Sequence, residues 1–189
     1  MSIDIPTHED RGELEIAGLS PESVKFDEKS FTLLLNIDQG AVDCESLQAR
    51  AEQDGFAPKK ELHLTVLGFK IGGEIKKLLK KSPEKLAVLK DLINGTDWRF
   101  TVGSQRWWIE KDYKSIDLKT KVENIEHRES YIQTVNIPCL VDFYHKLNEL
   151  FKQDIPFTAP PAHVTLFTKG DAIGVNTLSE LQGMNPRAI

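Results

Sequence analysis

The chain has 189 residues, 40% of them hydrophobic and 28% charged, with a formal net charge of −5. That balance is globular rather than disordered, and the length suits one mid-sized domain or two tightly joined lobes. The negative charge argues against a protein built to coat long duplex nucleic acid, yet a few local donors can still hold one phosphate. Cys44 and Cys139, the two cysteines, fit a reduced cytosolic chain better than a disulfide scaffold. The N-terminus, MSIDIPTHEDRGELEI, is acidic and lacks the apolar run of a signal peptide. No apolar stretch approaches the roughly 20 residues of a membrane helix. The expectation is a cytoplasmic chain without a membrane segment, and no obligate protein partner is evident.

Residues 1–30 are polar and turn-rich, with one short strand at GELEIAGL, and form an N-terminal extension. The body is then a single domain over 31–189. Phe31 to Ile37 (FTLLLNI) is a short apolar run and reads as a buried strand. A helix follows from about Asp43 to Gln53, ended by Asp54-Gly55. Leu62 to Leu67 (LHLTVL) is a second strand. A basic helical stretch covers Glu74 to Lys80 and Glu84 to Asn94, with Pro83 suited to the opening of its second part and Gly95 just past the end. Trp98 to Val102 and Gln105 to Lys111 read as a hairpin across Gly103-Ser104. Ser130 to Ile137 is a strand, and Pro138 opens an amphipathic helix with Leu140, Val141, Tyr144, Leu147 and Phe151 at spacings of three or four. The Pro-rich PFTAPPA leads into a last strand, His163 to Thr168. The order strand, helix, His-x-Thr strand thus occurs twice, at about 31–67 and about 130–168.

The two tripeptides carry the chemistry. Side chains at i and i+2 of a strand emerge on one face, so His63 and Thr65 point one way, and so do His163 and Thr165. Leu64, Val66, Val164 and Leu166 point the other way, toward a core. An imidazole with an unperturbed pKa of about 6.5 accepts or donates a proton near neutral pH, so two of them can serve as base and acid in one displacement. The threonine hydroxyls can donate to non-bridging phosphate oxygens. This arrangement calls for no metal. Five histidines among 189 residues make two such tripeptides in matching contexts an improbable coincidence.

HLTV at 63–66 and HVTL at 163–166, about a hundred residues apart, resemble the paired motifs of the two-histidine (2H) phosphoesterase superfamily. That group includes bacterial RNA 2′,3′-cyclic phosphodiesterases of the LigT type, plant-type cyclic phosphodiesterases and 2′-5′ oligonucleotide phosphodiesterases. The resemblance covers about 31–168 and includes the Pro-rich approach to the second motif. It implies an α+β, bilobal, duplicated fold, with two antiparallel sheets around a central groove and flanking helices. It also implies a metal-independent phosphodiesterase, without cofactor, acting on a 2′,3′-cyclic phosphate or 2′-5′ linkage of a nucleotide or short RNA. For cyclic phosphate opening, His163 is taken as base and His63 as acid. The alternatives are a small cyclic nucleotide or ADP-ribose cyclic phosphate as substrate, and a non-catalytic module that binds nucleotides or RNA ends.

Further candidates surround the pair. Trp107 and Trp108 face opposite sides of a strand, so one belongs to the core and the other is placed to stack on a base. Tyr113 and Tyr131 are similar candidates. Phe167 shares the parity of His163 and Thr165 and so lines the groove, unless it simply packs. The lysines at 76, 77, 80 and 81 read as a solvated helix face. His8, His127 and His145 show no convincing ligand spacing, so no zinc site is expected, and there is no Walker-type phosphate loop.

Overall fold

A computed structural model describes residues 18–189. Most of the strand expected at GELEIAGL lies outside the described residues, although Leu19 forms a bridge with Phe100. The elements run β1 (Ser23–Asp27), β2 (Thr32–Ile37), α1 (Glu45–Gln53), β3 (Ala57–Pro58), β4 (Leu62–Leu67), α2 (Phe69–Lys81) and α3 (Lys85–Asn94). They continue β5 (Thr101–Ile116), β6 (Glu123–Asn136), α4 (Leu140–Phe151), β7 (His163–Lys169), α5 (Leu178–Gly183) and β8 (Arg187–Ala188). The fold is therefore α+β.

All strands join one antiparallel sheet in the order β1-β2-β4-β7-β6-β5-β8, with β3 also paired to β7. The expectation of two separate sheets is corrected here. A hairpin, a helix and a His-x-Thr strand make each half, and β4 and β7 meet at the centre through the single register pair Leu64↔Val164. That contact makes the sheet continuous.

Alternation decides which face each side chain takes. Leu33 and Leu35 on β2, Leu62, Leu64 and Val66 on β4, and Val164 and Leu166 on β7 are all buried. They pack in one cluster with Leu47 and Ala51 of α1, Ile75 of α2, Leu89 of α3, and Phe143 and Leu147 of α4. Four helices thus cover one face. The opposite face has a smaller cluster at one side only, where Ile173, Val175, Leu181 and Met184 cover Ile109 and Ile132. The middle of that second face bears the two motifs. Among the described residues no helix is long and apolar enough to cross a membrane.

Two local expectations change. Gly103 and Ser104 do not turn a hairpin. They lie in the long strand β5, at an irregularity between Val102 and Arg106, and the turn falls between β5 and β6 at 117–122. A side chain at position 103 would collide with Thr134 Oγ1, so glycine here makes room for a neighbouring strand rather than for a turn. The segment after Pro21, read as turn-rich, contains β1, which pairs with β2 over its whole length.

Candidate functional site

The site begins with the alternation of β4 and β7. His63 and Thr65 are partly buried between buried Leu62, Leu64 and Val66. His163 and Thr165 are partly buried around buried Val164. Leu64 and Val164 are register partners on the helix-covered face, so all four polar residues emerge on the other face. Because the strands are antiparallel, His63 stands on the Thr165 side of that pair and Thr65 on the His163 side. The two imidazoles are diagonal to one another. Diagonal neighbours in an antiparallel ladder sit about 7–8 Å apart, a span that one phosphate with a hydrogen bond on each side can bridge. The structure brings together all four residues of the two motifs.

Each His-x-Thr strand also carries a bulge immediately after its threonine. On β4, Thr65 pairs with Leu34 and Leu67 with Leu33, which leaves Val66 as the extra residue. On β7, Thr165 pairs with Ile132 and Phe167 with Tyr131, which leaves Leu166 extra. A bulged residue loses its place in the ladder, so its carbonyl needs another donor. Val66 O accepts from the Tyr144 hydroxyl at 2.7 Å, and Leu166 O accepts from the Lys59 amide at 2.9 Å. The two motifs thus share an anomaly as well as a sequence pattern.

The protonation of the histidines follows from their surroundings. His163 Nδ1 lies 2.8 Å from the carbonyl oxygen of Pro161. A carbonyl only accepts, so Nδ1 carries the hydrogen and the neutral ring keeps its lone pair on Nε2. Burial lowers the His163 pKa from its ordinary value, and the Pro161 bond partly opposes this. Burial also lowers the His63 pKa, with the charges of Lys59 and His163 acting in the same direction and Glu61 opposing.

A cavity of about 480 Å³ opens beside His63, lined by Pro58, Lys59, Lys60, Glu61 and Thr168. Its origin is a mismatch in length. Between the pairs Pro58↔Phe167 and Leu64↔Val164, the first chain has residues 59–63 and β7 only 165–166. The longer segment bows away from β7. Gln39 Nε2 holds it by donating to Lys60 O at 2.9 Å and to Lys59 O at 3.4 Å.

The remaining candidates separate by face. Trp107 pairs with Ile132, which pairs with Thr165, so Trp107 shares the histidine face, two strands beyond β7 and packed against Ile132's cluster. Trp108 takes the opposite face. Its Nε1 donates to Glu129 Oε2 at 2.8 Å and its ring lies 4.0 Å from the Arg187 guanidinium. Tyr131 is fully buried among the helices, with its hydroxyl donating to Asp54 Oδ2 at 2.5 Å. Phe167 is 1% exposed and packs against Tyr131, because the bulge at Leu166 reverses its parity. Trp108, Tyr131 and Phe167 therefore do not line the site. Tyr113 lies farther along the hairpin, where Arg128 stacks 4.2 Å from its ring and Gly174 N donates to its hydroxyl at 3.3 Å, so it too is apart from the histidines. On α2, Lys77 pairs with Glu74 and Lys76 donates to Lys29 O, both at the surface.

Four residues were not singled out from the sequence. Asn36 is the register partner of His63, and Thr134 that of His163. Lys59 and Thr168 line the cavity. Thr134 was legible as a polar position in SYIQTVNI, but its partner strand was not. Among the described residues, one group could offer metal ligands. Donor atoms of Glu110, His127 and Glu129 lie within 4.8 Å of one another. Each already has a partner: Arg187 at Glu110, Lys169 at Glu129, and Asp112 at 2.6 Å from His127 Nδ1. Two of those partners are cations, which oppose a metal at the same oxygens.

No family model matches the chain, and no curated protein or solved structure matches it.

Proposed function

We propose that the chain is a metal-independent phosphodiesterase of the two-histidine type, acting on a 2′,3′-cyclic phosphate or 2′-5′ phosphodiester of a nucleotide or short RNA. The observation that carries this reading is the Leu64↔Val164 register pair, which sets two His-x-Thr faces side by side on one open sheet face. The repeated order of hairpin, helix and motif strand, meeting at that pair, supports a duplicated two-histidine phosphoesterase fold. The matching bulges at Val66 and Leu166 support it further.

In the proposed reaction, a phosphodiester sits between the imidazoles and its non-bridging oxygens accept from Thr65 and Thr165. His163 fits the base, since its Nε2 lone pair is free while Pro161 fixes Nδ1–H. It takes a proton from water as the water oxygen bonds to phosphorus. His63 gives a proton to the ribose oxygen as its bond to phosphorus breaks. One proton is gained and one lost, and solvent exchange restores the starting state. A bound phosphate anion favours protonated His63 and so offsets the effect of burial on the acid.

The test is a substrate panel of 2′,3′-cyclic nucleotides, ADP-ribose cyclic phosphate, a 2′-5′ oligoadenylate and a linear bis-ester, each with and without EDTA. Turnover of a cyclic or 2′-5′ substrate, insensitive to EDTA, is expected. His63→Ala and His163→Ala should each lose about 10²–10⁴-fold in kcat. Binding without turnover would reassign the cleft as a binding module, and full activity in either variant would end the two-histidine mechanism.

A further inference from the structure

The cavity beside His63 bears charge that the acid–base pair does not use. Lys59 and Lys60 line it together with Thr168 and Glu61, and among the described residues neither lysine forms an ion pair. Its backbone is fixed rather than loose. The Lys59 amide is bound to Leu166 O, and the carbonyls of Lys59 and Lys60 are both held by Gln39. Lys59 is close enough to His63 for its charge to act on the imidazole, and Lys25 acts on it in the same sense from β1. Two lysines therefore stand with Glu61 around this end of the site. Thr168, next along the same face after the bulge, adds a hydroxyl donor.

The place of the cavity gives it a direction. It lies at the His63 end of the diagonal, away from His163. Whatever group is attached through the oxygen that His63 protonates must extend toward it. A bare nucleoside would bring no charge for the lysines to meet, whereas a second phosphate on the same ribose or on the next nucleotide would.

Resting on the phosphodiesterase reading, we infer that Lys59, Lys60 and Thr168 form a second phosphate subsite beside His63, and that the substrate is a nucleotide or short oligonucleotide carrying a further phosphate. Charge-assisted hydrogen bonds to that phosphate supply selectivity, and the bowed segment that creates the cavity sets their distance from the reacting phosphorus.

Two measurements separate this subsite from the reaction itself. Turnover of cytidine 2′,3′-cyclic phosphate and its 5′-phosphorylated form tests the reaction. Calorimetric binding of adenosine 3′-monophosphate against adenosine 3′,5′-bisphosphate tests the subsite without any need for turnover. The bisphosphate should bind about tenfold more tightly or better to the native chain, and Lys59→Gln/Lys60→Gln should bring the two ligands to within about twofold. Circular dichroism of the double variant confirms that it folds, and the single variants Lys59→Gln and Lys60→Gln should each lose part of the preference. Equal binding of the two ligands by the native chain, or a preference that survives in the double variant, overturns the subsite. Absence of turnover on both cyclic substrates, with the binding preference intact, would instead overturn the enzymatic reading and leave a two-phosphate binding site.

Discussion

At the scale of single residues, the histidine environments fix how the proposed phosphodiesterase activity should depend on pH. Both pKa values are lowered from their ordinary value, chiefly by burial. The base must be neutral and the acid protonated, so kcat/KM rises with pH through the lower limit and falls once the acid has lost its proton. With both limits displaced downward, the optimum of kcat/KM should lie below about pH 6.5. Removing a nearby cation tests the cause. Lys59→Gln relieves the repulsion on protonated His63, so the His63 pKa rises and the alkaline limb moves to higher pH. NMR titration of the imidazole checks the shift directly. An unmoved limb with an unmoved imidazole resonance would show that Lys59 does not act on His63. The same shifts bear on folding. An unfolded chain binds these protons more readily than the folded one, so stability is fully present above about pH 6.5 and declines as the pH falls below it. His163→Gln should flatten that decline in a series of thermal melts.

At the scale of elements, the paired bulges locate a specific dependence on Tyr144. Its hydroxyl is the donor to Val66 O, and the side chain is 3% exposed. Tyr144→Phe keeps the ring and leaves that carbonyl unpaired, which should cost about 1–3 kcal/mol by denaturant midpoint. A neutral substitution would mean that water satisfies the bulge. These bulges also explain what the sequence did and did not disclose. The strands of His63 and His163 were legible because imidazole and hydroxyl alternate with core residues. The helix at α4 was legible from its apolar spacing. Of the two alternatives for Phe167, packing holds, because the bulge at Leu166 ends the strict alternation beyond Thr165. The adjacent buried pairs Val66-Leu67 and Leu166-Phe167 break that alternation and were the available sign of a bulge. Gly103 misled for a related reason, since glycine serves both turns and close strand contacts. The cavity was not legible at all. It depends on the unequal lengths of 59–63 and 165–166, and that inequality exists only once β3 and β4 are both set against β7.

At the scale of the whole molecule, two halves with the same element order raise the question of whether they unfold apart. The ladder between β4 and β7 is a single register pair, which by itself is a weak seam. The core crosses that seam, however. Leu35 and Leu64 from the first half share one cluster with Phe143, Leu147 and Val164 from the second. Tyr144 of the second half also bonds to Val66 of the first, and β3 of the first pairs with β7 of the second. Separating the halves would expose buried apolar surface on both, at a cost of about 25 cal/mol for each Å². Unfolding should therefore be one cooperative transition, with equal calorimetric and van't Hoff enthalpies. Leu64→Ala, placed on the seam, should lower stability by about 2–5 kcal/mol while keeping that single transition. Two resolved transitions in the native chain would mean that the seam, not the shared core, sets the cooperative unit. The site would then lie between independently moving halves, and the distance between His63 and His163 would vary with every opening. A single transition keeps both imidazoles within one cooperative unit, as the proposed transfer of two protons across one phosphate requires.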